Sequence, residues 1–339
     1  DASWSRGLGD VYKRQANPEN PDVLTGAIEE ARTRSDDVVM ASDPDCDRLG
    51  AAAALRPEKG SEWKTFTGNQ LGALLAEWVL ETKKQHNVLQ STDTIVTTLV
   101  TSGLIRQIGE KHGVNVIDGL QVGFKWIGRT IDDIGPKHFI FGCEESHGYL
   151  AGTHVRDKDA SVAALLLAEL AAELKAQGKT LHQKLDDLFC THGCHLERQV
   201  AIKLPGAAGM ERMQEIMTGL RAKPPKSLGG LVVRRTRDYG HLKVHVPDQG
   251  ESSFEGEQGN LVIFDLVDFK STNEKASEFQ FPPLGNAVAV RPSGTEPKIK
   301  LYLFTASEPM SLEKLPAVKA QLERQLDLLE EDLRSRVGV

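Results

Sequence analysis

Short apolar runs alternate with longer helix-type segments over residues 37–190, and this alternation constrains the fold more than any other feature of the sequence. The segments between the runs, such as 68–84 and 103–113, carry apolar residues at helical spacing. Such alternation predicts an α/β fold with mixed or parallel sheets flanked by helices. The runs of strand length are DVVMAS at 37–42, TIVTTLV at 94–100 and HFIFG at 138–142.

Three local predictions accompany this pattern. The run at 37–42 is interpreted as a buried parallel strand because it is continuously apolar and ends in a loop. Segments 49–56 and 62–68 are predicted to form a hairpin around Pro57–Gly60. The stretch from Ala160 to Leu174 is predicted to be a core-facing helix rather than a membrane span, because it contains Glu169 and Glu173.

The pattern changes near His195, after which strand-type segments predominate. Only two helical segments, 210–222 and 312–333, interrupt them, so an α+β domain is predicted at the C-terminal end. The polar, glycine-rich region 248–260 is interpreted as a surface loop.

Composition excludes several classes of protein. Hydrophobic residues make up 40% and charged residues 26% of the chain, which is typical of a globular protein. The net charge of −7 provides no basic field, so no nucleic-acid partner is expected. No apolar run approaches the roughly 18–20 residues that span a bilayer, so no membrane partner is expected either. Four cysteines do not form a disulfide framework, which favours a cytoplasmic location.

The first fifteen residues, DASWSRGLGDVYKRQ, show neither helical nor strand periodicity. We interpret residues 1–15 as a non-native leader and exclude them from the fold prediction.

The loop DPDCDR follows the first apolar run and carries three carboxylates at a spacing of two. Asp43, Asp45 and Asp47 could converge on one hard divalent cation, and Mg²⁺ suits phosphate chemistry. An EF-hand is excluded, because Arg48 stands where its glycine is needed and Ala54 where its glutamate is needed. The alternative is a solvated acidic turn, but loops at the carboxyl ends of strands are where open α/β sheets bind ligands.

The loop GCEESHGY at 142–149 directly follows the strand-type run HFIF. Glu144 can accept hydrogen bonds from sugar hydroxyls, and Ser146 can donate or accept them. The alternative is a helix N-cap cluster with glutamates in the first turn.

The loop RPSGTEPK at 291–298 lies between two strand-type segments. Arg291 can fork onto phosphate oxygens. Gly294 would let backbone N–H groups turn inward, Ser293 and Thr295 add hydroxyl donors, and Lys298 adds a second cation. The alternative is a plain hairpin turn with a surface salt bridge.

The string CTHGCH at 190–195 resembles a metal or haem site, but it does not have the CxxCH spacing of haem attachment. Two Cys and two His so close together would strain to surround one zinc ion. We interpret the string as a helix C-terminus capped by Gly193.

Together, DPDCDR, CEESHG and RPSGTEPK resemble the metal, sugar and phosphate loops of the α-D-phosphohexomutase superfamily, in the same order. The amino-acid sequences of these loops most resemble those of the branch of phosphoglucomutases that includes phosphopentomutase-like enzymes and glucose-1,6-bisphosphate synthases. The strings NPENP, TGNQLG, GFKWIG and RDKD add to the resemblance, which covers roughly residues 16–310.

The resemblance implies parts of three domains. Residues 16–65 would be the end of domain 2 with the metal loop, 66–194 domain 3 with the sugar loop, and 195–339 domain 4 with the phosphate loop. The family's phosphoserine loop, TxSHNP, does not occur in the sequence, nor does the first half of domain 2. We therefore expect an N-terminally truncated chain that is inactive alone.

The resemblance also implies roles for residues. A phosphoserine would exchange a phosphoryl group with a hexose phosphate through a bisphosphate intermediate, with glucose 1,6-bisphosphate as activator and Mg²⁺ as cofactor. Lys158 corresponds to a proposed general acid/base, whose pKa Arg156 would lower and Asp157 and Asp159 would raise. Arg48 would contact the phosphate or anchor the site. Lys125 and Arg156 would contact substrate, whereas His147 receives no role.

Other functions stay open. Within the class, a phosphomannomutase or phosphopentomutase fits the same loops. An aspartate-nucleophile phosphatase would use Asp43, but it predicts Thr or Val at position 47, where Asp stands. A non-catalytic module that binds phosphosugars is the remaining alternative.

Overall fold

The computed structural model describes residues 17–204, 206–267, 285–293 and 297–338. The chain divides into two compact units, which are considered separately. In the described residues, unit 1 comprises 17–101, 108–117 and 123–187, and unit 2 comprises 102–107, 118–122 and 188–338 without the gaps named above.

The described helices are α1 Thr25–Arg34, α2 Gly68–Gln85, α3 Gly103–His112, α4 Phe124–Ile134, α5 Ala160–Ala176, α6 Leu181–His192, α7 Ala207–Ala222 and α8 Leu315–Val337. The strands are β1 Val38–Ser42, β2 Leu49–Ala54, β3 Trp63–Thr65, β4 Thr94–Thr98, β5 Asn115–Leu120, β6 Phe139–Cys143, β7 Tyr149–Ala151, β8 His195–Lys203, β9 Ser227–Leu228, β10 Leu231–Asp238, β11 Lys243–Val246, β12 Gly250–Ser253, β13 Val262–Val267, β14 Ala287–Pro292 and β15 Lys298–Ala306. Single 3₁₀ turns occupy Pro21–Leu24 and Pro136–His138. The predicted α/β fold class is confirmed.

The first sheet of unit 1 has the order β1-β2-β3 and is antiparallel throughout. Met40 pairs with Ala51, and Ala52 pairs with Thr65, so the hairpin predicted around residues 57–60 is confirmed. The interpretation of residues 37–42 as a buried parallel strand is wrong. β1 is mostly half-buried, and the short acidic loop returns the chain directly beside it, which a parallel pairing would not allow.

The second sheet has the order β5-β4-β6-β7 and is mixed. β4 and β6 are parallel and fully buried, and β7 returns antiparallel to β6. α2 begins with a capping box, in which Thr67 and Gln70 satisfy each other's backbone N–H groups. The loop between β6 and β7 is therefore held at both ends by strands that pair with each other and are largely buried.

The prediction of a core-facing helix at 160–174 is confirmed by α5, which packs against α2, β1, β2 and β7. Its buried face follows the helical period through Ala160, Ala163, Leu167, Leu170 and Leu174. None of the helices in the described ranges is long and apolar enough to cross a membrane.

Unit 2 is built on an antiparallel sheet with the order β12-β11-β10-β13-β14-β15-β8, and β9 pairs with β10. α7 contacts β13, β14 and β15, and α8 contacts β8, β9 and β15, as an α+β domain requires. The interpretation of residues 248–260 as a loop is wrong in part, because residues 250–253 form the edge strand β12. All four of its residues are exposed. The strand therefore has no buried apolar face, and its sequence lacks the apolar alternation that would predict a strand.

Candidate metal centre and adjoining loops

The three aspartates of the acidic loop lie together between β1 and β2. Asp43, Asp45 and Asp47 each place one carboxylate oxygen within 4.8 Å of the others. Asp43 is buried, Asp47 is half-buried and Asp45 is exposed. Within the described ranges this is the one group of three His, Cys, Asp or Glu ligands at such distances, so the CTHGCH string does not form another.

The loop is shaped around the Asp43 carboxylate. Its Oδ1 accepts the N–H groups of Asp47 at 3.1 Å and Arg48 at 3.0 Å, and its Oδ2 accepts Arg48 Nε at 2.6 Å. Burial alone would raise the pKa of Asp43, but the hydrogen bonds and charge of Arg48 hold it below its usual value. Arg48 also bonds Asn17 and Glu19, so its guanidinium anchors the loop.

Asp47 differs from Asp43 in having a buried carboxylate oxygen that accepts no hydrogen bond from the described residues. Its Oδ1 is buried without a hydrogen bond in the described structure and lies 3.7 Å from Arg48 Nε. Burial and the neighbouring Asp43 raise the pKa of Asp47, although Lys158 acts in the opposite direction. A hard divalent cation takes several carboxylate oxygens, so this donor set fits Mg²⁺ chemically.

Lys158 reaches the triad from the segment before α5. Its Nζ lies 3.0 Å from Asp47 Oδ2, 2.8 Å from Asp157 Oδ1 and 5.4 Å from the centroid of the Phe124 ring. Burial would lower the pKa of Lys158, but hydrogen bonds and charges from the two aspartates outweigh it and raise the pKa. The expected lowering by Arg156 does not prevail, because that guanidinium is bound to Asp132 and to loop carbonyls.

The loop with Glu144 and Ser146 connects β6 to β7. The alternative of a helix N-cap is therefore wrong, because strands flank the loop on both sides. Glu144 is buried, and its Oε1 accepts the Gly123 N–H at 2.9 Å. Ser146 is half-buried, and Lys125 is exposed in the first turn of α4 with its Nζ 5.2 Å from the Trp126 ring centroid.

The structure brings the acidic loop and the Glu144 loop together through an isolated bridge between Arg48 and Gly148. The His147 carbonyl accepts the Leu49 N–H at 3.0 Å, and His147 Nδ1 lies 3.1 Å from the Leu49 carbonyl. A carbonyl can only accept, so Nδ1 carries the proton. Burial lowers the pKa of His147, so a neutral ring at this position suits a structural bridge.

Two glycines that received no role in the sequence analysis make these approaches possible. A Cβ on Gly148 would lie 2.3 Å from Lys158 Cδ, and a Cβ on Gly68 would lie 2.0 Å from the Glu145 carbonyl oxygen. Gly68 lies in the string TGNQLG, but glycine is tolerated at the start of a helix, so its position there does not by itself indicate the close approach.

The basic loop of unit 2 connects β14 to β15. Arg291 pairs with Lys300, and Lys298 pairs with Lys203 of β8. These four residues share one face of the sheet, since Lys298 and Lys300 are two apart on one strand. Ser293 donates its N–H to the Lys298 carbonyl at 2.8 Å. The other proposed members of this loop, Gly294 and Thr295, lie outside the described residues.

Like charges placed directly opposite each other in a sheet are destabilising, and two such pairs occur side by side. The register therefore gathers four cationic side chains on one face of the sheet. The sequence analysis missed Lys203 and Lys300, because their proximity to Arg291 depends on strand register.

The CTHGCH string takes the structure expected of a helix end. α6 ends at His192, Gly193 has a φ of 97°, and its N–H bonds the Phe189 carbonyl at 3.0 Å. The prediction of a glycine-capped helix is confirmed.

Comparison with known proteins gives a consistent result. Residues 67–191 match the family model of phosphoglucomutase/phosphomannomutase, alpha/beta/alpha domain III. A phosphoglucomutase of Staphylococcus aureus (strain N315) is 33% identical over 291 residues, which is 86% of this chain and 48% of that protein. The chain thus spans about half the length of the curated relatives it matches.

Two solved structures share the fold. The open form of pp63/parafusin, a phosphoglucomutase from Paramecium, has a TM-score of 0.53 at 17% identity, covering 93% of this chain and 50% of its own. A phosphoglucomutase/phosphomannomutase family protein from Burkholderia thailandensis has a TM-score of 0.54 at 14% identity, covering 94% and 51%.

Proposed function

We propose that this chain belongs to the α-D-phosphohexomutase superfamily and forms part of a mutase that moves a phosphoryl group between C1 and C6 of a hexose phosphate, a proposal supported by the family-model match and by the phosphoglucomutase relatives. Glucose 1-phosphate and glucose 6-phosphate are the proposed pair, in keeping with the relatives' name. Phosphomannomutase or phosphopentomutase activity is the alternative within the class.

The observation that carries the proposal is the convergence of Asp43, Asp45 and Asp47 beside the Glu144 loop. The three carboxylates would hold Mg²⁺, which supplies neutralisation of charge on a transferring phosphoryl group. Arg48 keeps Asp43 ionised and in place, since it bonds the carboxylate directly.

The sugar would be bound by the loop between β6 and β7. Glu144 and Ser146 would exchange hydrogen bonds with its hydroxyl groups. Lys125 is proposed to contact substrate because its ammonium is exposed, and Arg156 because its guanidinium lies in the same unit. Lys158 remains the proposed acid/base residue, and its contact with Asp47 supports a place beside the reacting phosphoryl group.

Unit 2 would bind a phosphate group through the face that carries Arg291, Lys298, Lys300 and Lys203. The register supports this role, because it places four cationic side chains on one face of the sheet, where a phosphate dianion would be attracted. Ser293, Gly294 and Thr295 remain proposed donors to the same phosphate.

The proposed mechanism uses an enzyme phosphoserine and glucose 1,6-bisphosphate as the intermediate. The TxSHNP string of that mechanism is not in the printed sequence. The three segments 16–65, 66–194 and 195–339 are then proposed as parts of domains 2, 3 and 4.

Titration calorimetry with MgCl₂ tests the metal site. Asp45→Asn should weaken Mg²⁺ binding, because it removes an exposed ligand charge without disturbing the hydrogen bonds of Asp43. Asp133→Asn, an exposed change on α4, is the control and should bind as the parent does. If the parent, Asp45→Asn and Asp133→Asn bind Mg²⁺ with equal affinity, the three aspartates are not the metal site and the proposal fails.

Substrate binding and turnover test the remainder. Glu144→Gln should weaken binding of glucose 1-phosphate, and mannose 1-phosphate and ribose 1-phosphate serve as competitors within the class.

A coupled assay for glucose 6-phosphate, run on this chain alone, should show no turnover. Phosphosugar binding without turnover also fits a binding module, so restoring a serine-bearing segment must restore turnover.

The phosphatase alternative is less well supported by the geometry. Both oxygens of Asp43 are engaged, Oδ1 by two backbone N–H groups and Oδ2 by Arg48. A nucleophilic carboxylate needs a free oxygen directed at phosphorus. Release of inorganic phosphate by the printed chain would restore this alternative.

A further inference from the structure

The ammonium group of Lys158 lies where a metal ion would compete for a ligand. It donates to Asp47 Oδ2 at 3.0 Å, and the lysine side chain is only 16% exposed. Asp47 Oδ1 is buried beside it without a hydrogen bond in the described structure. One carboxylate therefore has one oxygen occupied by a cation and the other available.

Gly148 leaves the space through which the lysine passes. A Cβ at this position would lie 2.3 Å from Lys158 Cδ, 2.8 Å from its Cγ and 3.5 Å from Glu144 Oε2. The nearest atoms belong to a flexible side chain, so a methyl group here would displace Lys158 rather than the backbone. The absence of a side chain at Gly148 thus leaves room for Lys158 to pass this loop and reach Asp47.

Repulsion among the carboxylates of the triad explains why a cation such as the Lys158 ammonium lies beside them. Three carboxylates close together repel one another, and Arg48 compensates mainly Asp43. Lys158 is the second cation at the triad and contacts Asp47, which Arg48 approaches only at 3.7 Å.

We propose that Lys158 is the resident counter-ion of the triad, admitted by Gly148, and that a divalent cation must displace its ammonium from Asp47 in order to bind. This inference rests on the proposed metal site. The exchange makes and breaks no covalent bond: Asp47 Oδ2 releases the ammonium and becomes a ligand, while Lys158 keeps its proton.

The displaced ammonium has partners that retain it nearby. Asp157 Oδ1 lies 2.8 Å from Nζ, and the face of Phe124 lies 5.4 Å away. Neither belongs to the triad, so both contacts persist when Asp47 is released. Metal binding would thereby shift Lys158 from a counter-ion of Asp47 to a cation available to a phosphate group.

Calorimetric titration with Mg²⁺, repeated with Mn²⁺ and electron paramagnetic resonance, tests the exchange. Lys158→Met removes the competing charge and should tighten divalent-ion binding about tenfold, as expected for a unit charge removed beside the site. Lys175→Met, on an exposed part of α5, makes the same change in net charge and should leave the affinity unchanged. Equal or weaker binding by Lys158→Met would overturn the inference.

Gly148→Ala provides an independent variant. It should also tighten Mg²⁺ binding by displacing Lys158, and it should add nothing in the Lys158→Met background. Gly26→Ala, where no atom lies within 4 Å of the new methyl group, is the control. Circular dichroism verifies folding. If no protein in the series binds Mg²⁺ or Mn²⁺, the proposed function itself fails. If all bind with one affinity, only the counter-ion inference fails.

Discussion

His147 and Leu49 are joined by two reciprocal hydrogen bonds: the Leu49 N–H donates to the His147 carbonyl at 3.0 Å, and His147 Nδ1 donates to the Leu49 carbonyl at 3.1 Å. Leu49 begins β2 directly after the acidic loop, and His147 lies in the loop between β6 and β7. The pair therefore holds the acidic loop and the Glu144 loop in one arrangement. His147 adopts a φ of 68°, a left-handed conformation that this pairing helps to maintain.

Replacing His147 with alanine should destabilise the protein by about 2–3 kcal/mol, because it leaves the buried Leu49 carbonyl with one partner fewer and creates a cavity. Urea unfolding followed by circular dichroism measures the loss. His86→Ala, at an exposed position, is the matched control. If both variants unfold at the parent's urea concentration, His147 does not join the loops energetically.

Gly68→Ala should cost about 2 kcal/mol or more, because the new methyl group would lie 2.0 Å from the Glu145 carbonyl and a backbone atom cannot move aside easily. Gly26 in α1 has free space around it, so a methyl group there meets no other atom within 4 Å. Because alanine favours a helix more than glycine does, Gly26→Ala should raise the free energy of unfolding by about 0.5–1 kcal/mol. Thermal unfolding of the two variants separates steric overlap from helix propensity. A stabilised Gly68→Ala protein would contradict the close approach.

Glu77 should make stability depend on pH below neutrality. Burial would raise its pKa, but His112, with Nε2 at 3.0 Å, and Lys184 lower it to about 2. A carboxyl group whose folded pKa is depressed stabilises the fold above its unfolded pKa, and this contribution is lost as pH falls from about 4.5 towards about 2. Glu77→Gln should remove roughly 2–3 kcal/mol at pH 6 and flatten the pH profile below pH 5.

Urea unfolding at a series of pH values tests this prediction. Glu29→Gln changes an exposed carboxylate on α1 and should retain the parent's profile. A Glu77→Gln profile as steep as that of the parent between pH 5 and 2 would assign the acid sensitivity to other groups.

Arg291→Lys should weaken binding of glucose 1-phosphate and of inorganic phosphate about fivefold, because lysine keeps the charge but loses the planar fork, at a cost of about 1 kcal/mol. Calorimetry measures both ligands. Arg324→Lys on the exposed surface of α8 makes the same chemical change away from the basic face. Unchanged phosphate affinity would place the phosphate site elsewhere.

The sequence predicted the acidic loop well, because Asp43, Asp45 and Asp47 are close in the chain and need only a tight turn to converge. It gave the wrong direction for β1, since continuous apolar character indicates burial but not which neighbour a strand pairs with. The role of Gly148 was not predictable in the same way. Its value depends on Lys158, which comes into contact only after β7 turns the chain back.

The same distinction applies in unit 2. Arg291 could be singled out because its own loop is rich in donors, whereas Lys203 joins the face only through its pairing with Lys298. Register is a property of a pair of strands, so a single strand's sequence does not contain it.

Helix α5 connects the hydrophobic core to the acidic loop. Asp159 caps the helix by accepting the N–H groups of Ser161 and Val162, Lys158 precedes it, and the Ala160 N–H donates to the Cys46 carbonyl at 3.2 Å. The core therefore holds the body of the helix, and its N-terminal end positions Lys158 beside the acidic loop. A volume change at the buried Leu167 that moves the helix along its axis would therefore alter cation affinity at the acidic loop, although Leu167 itself lies in the core. Selection for core packing and selection on the proposed metal site would consequently act on the same helix.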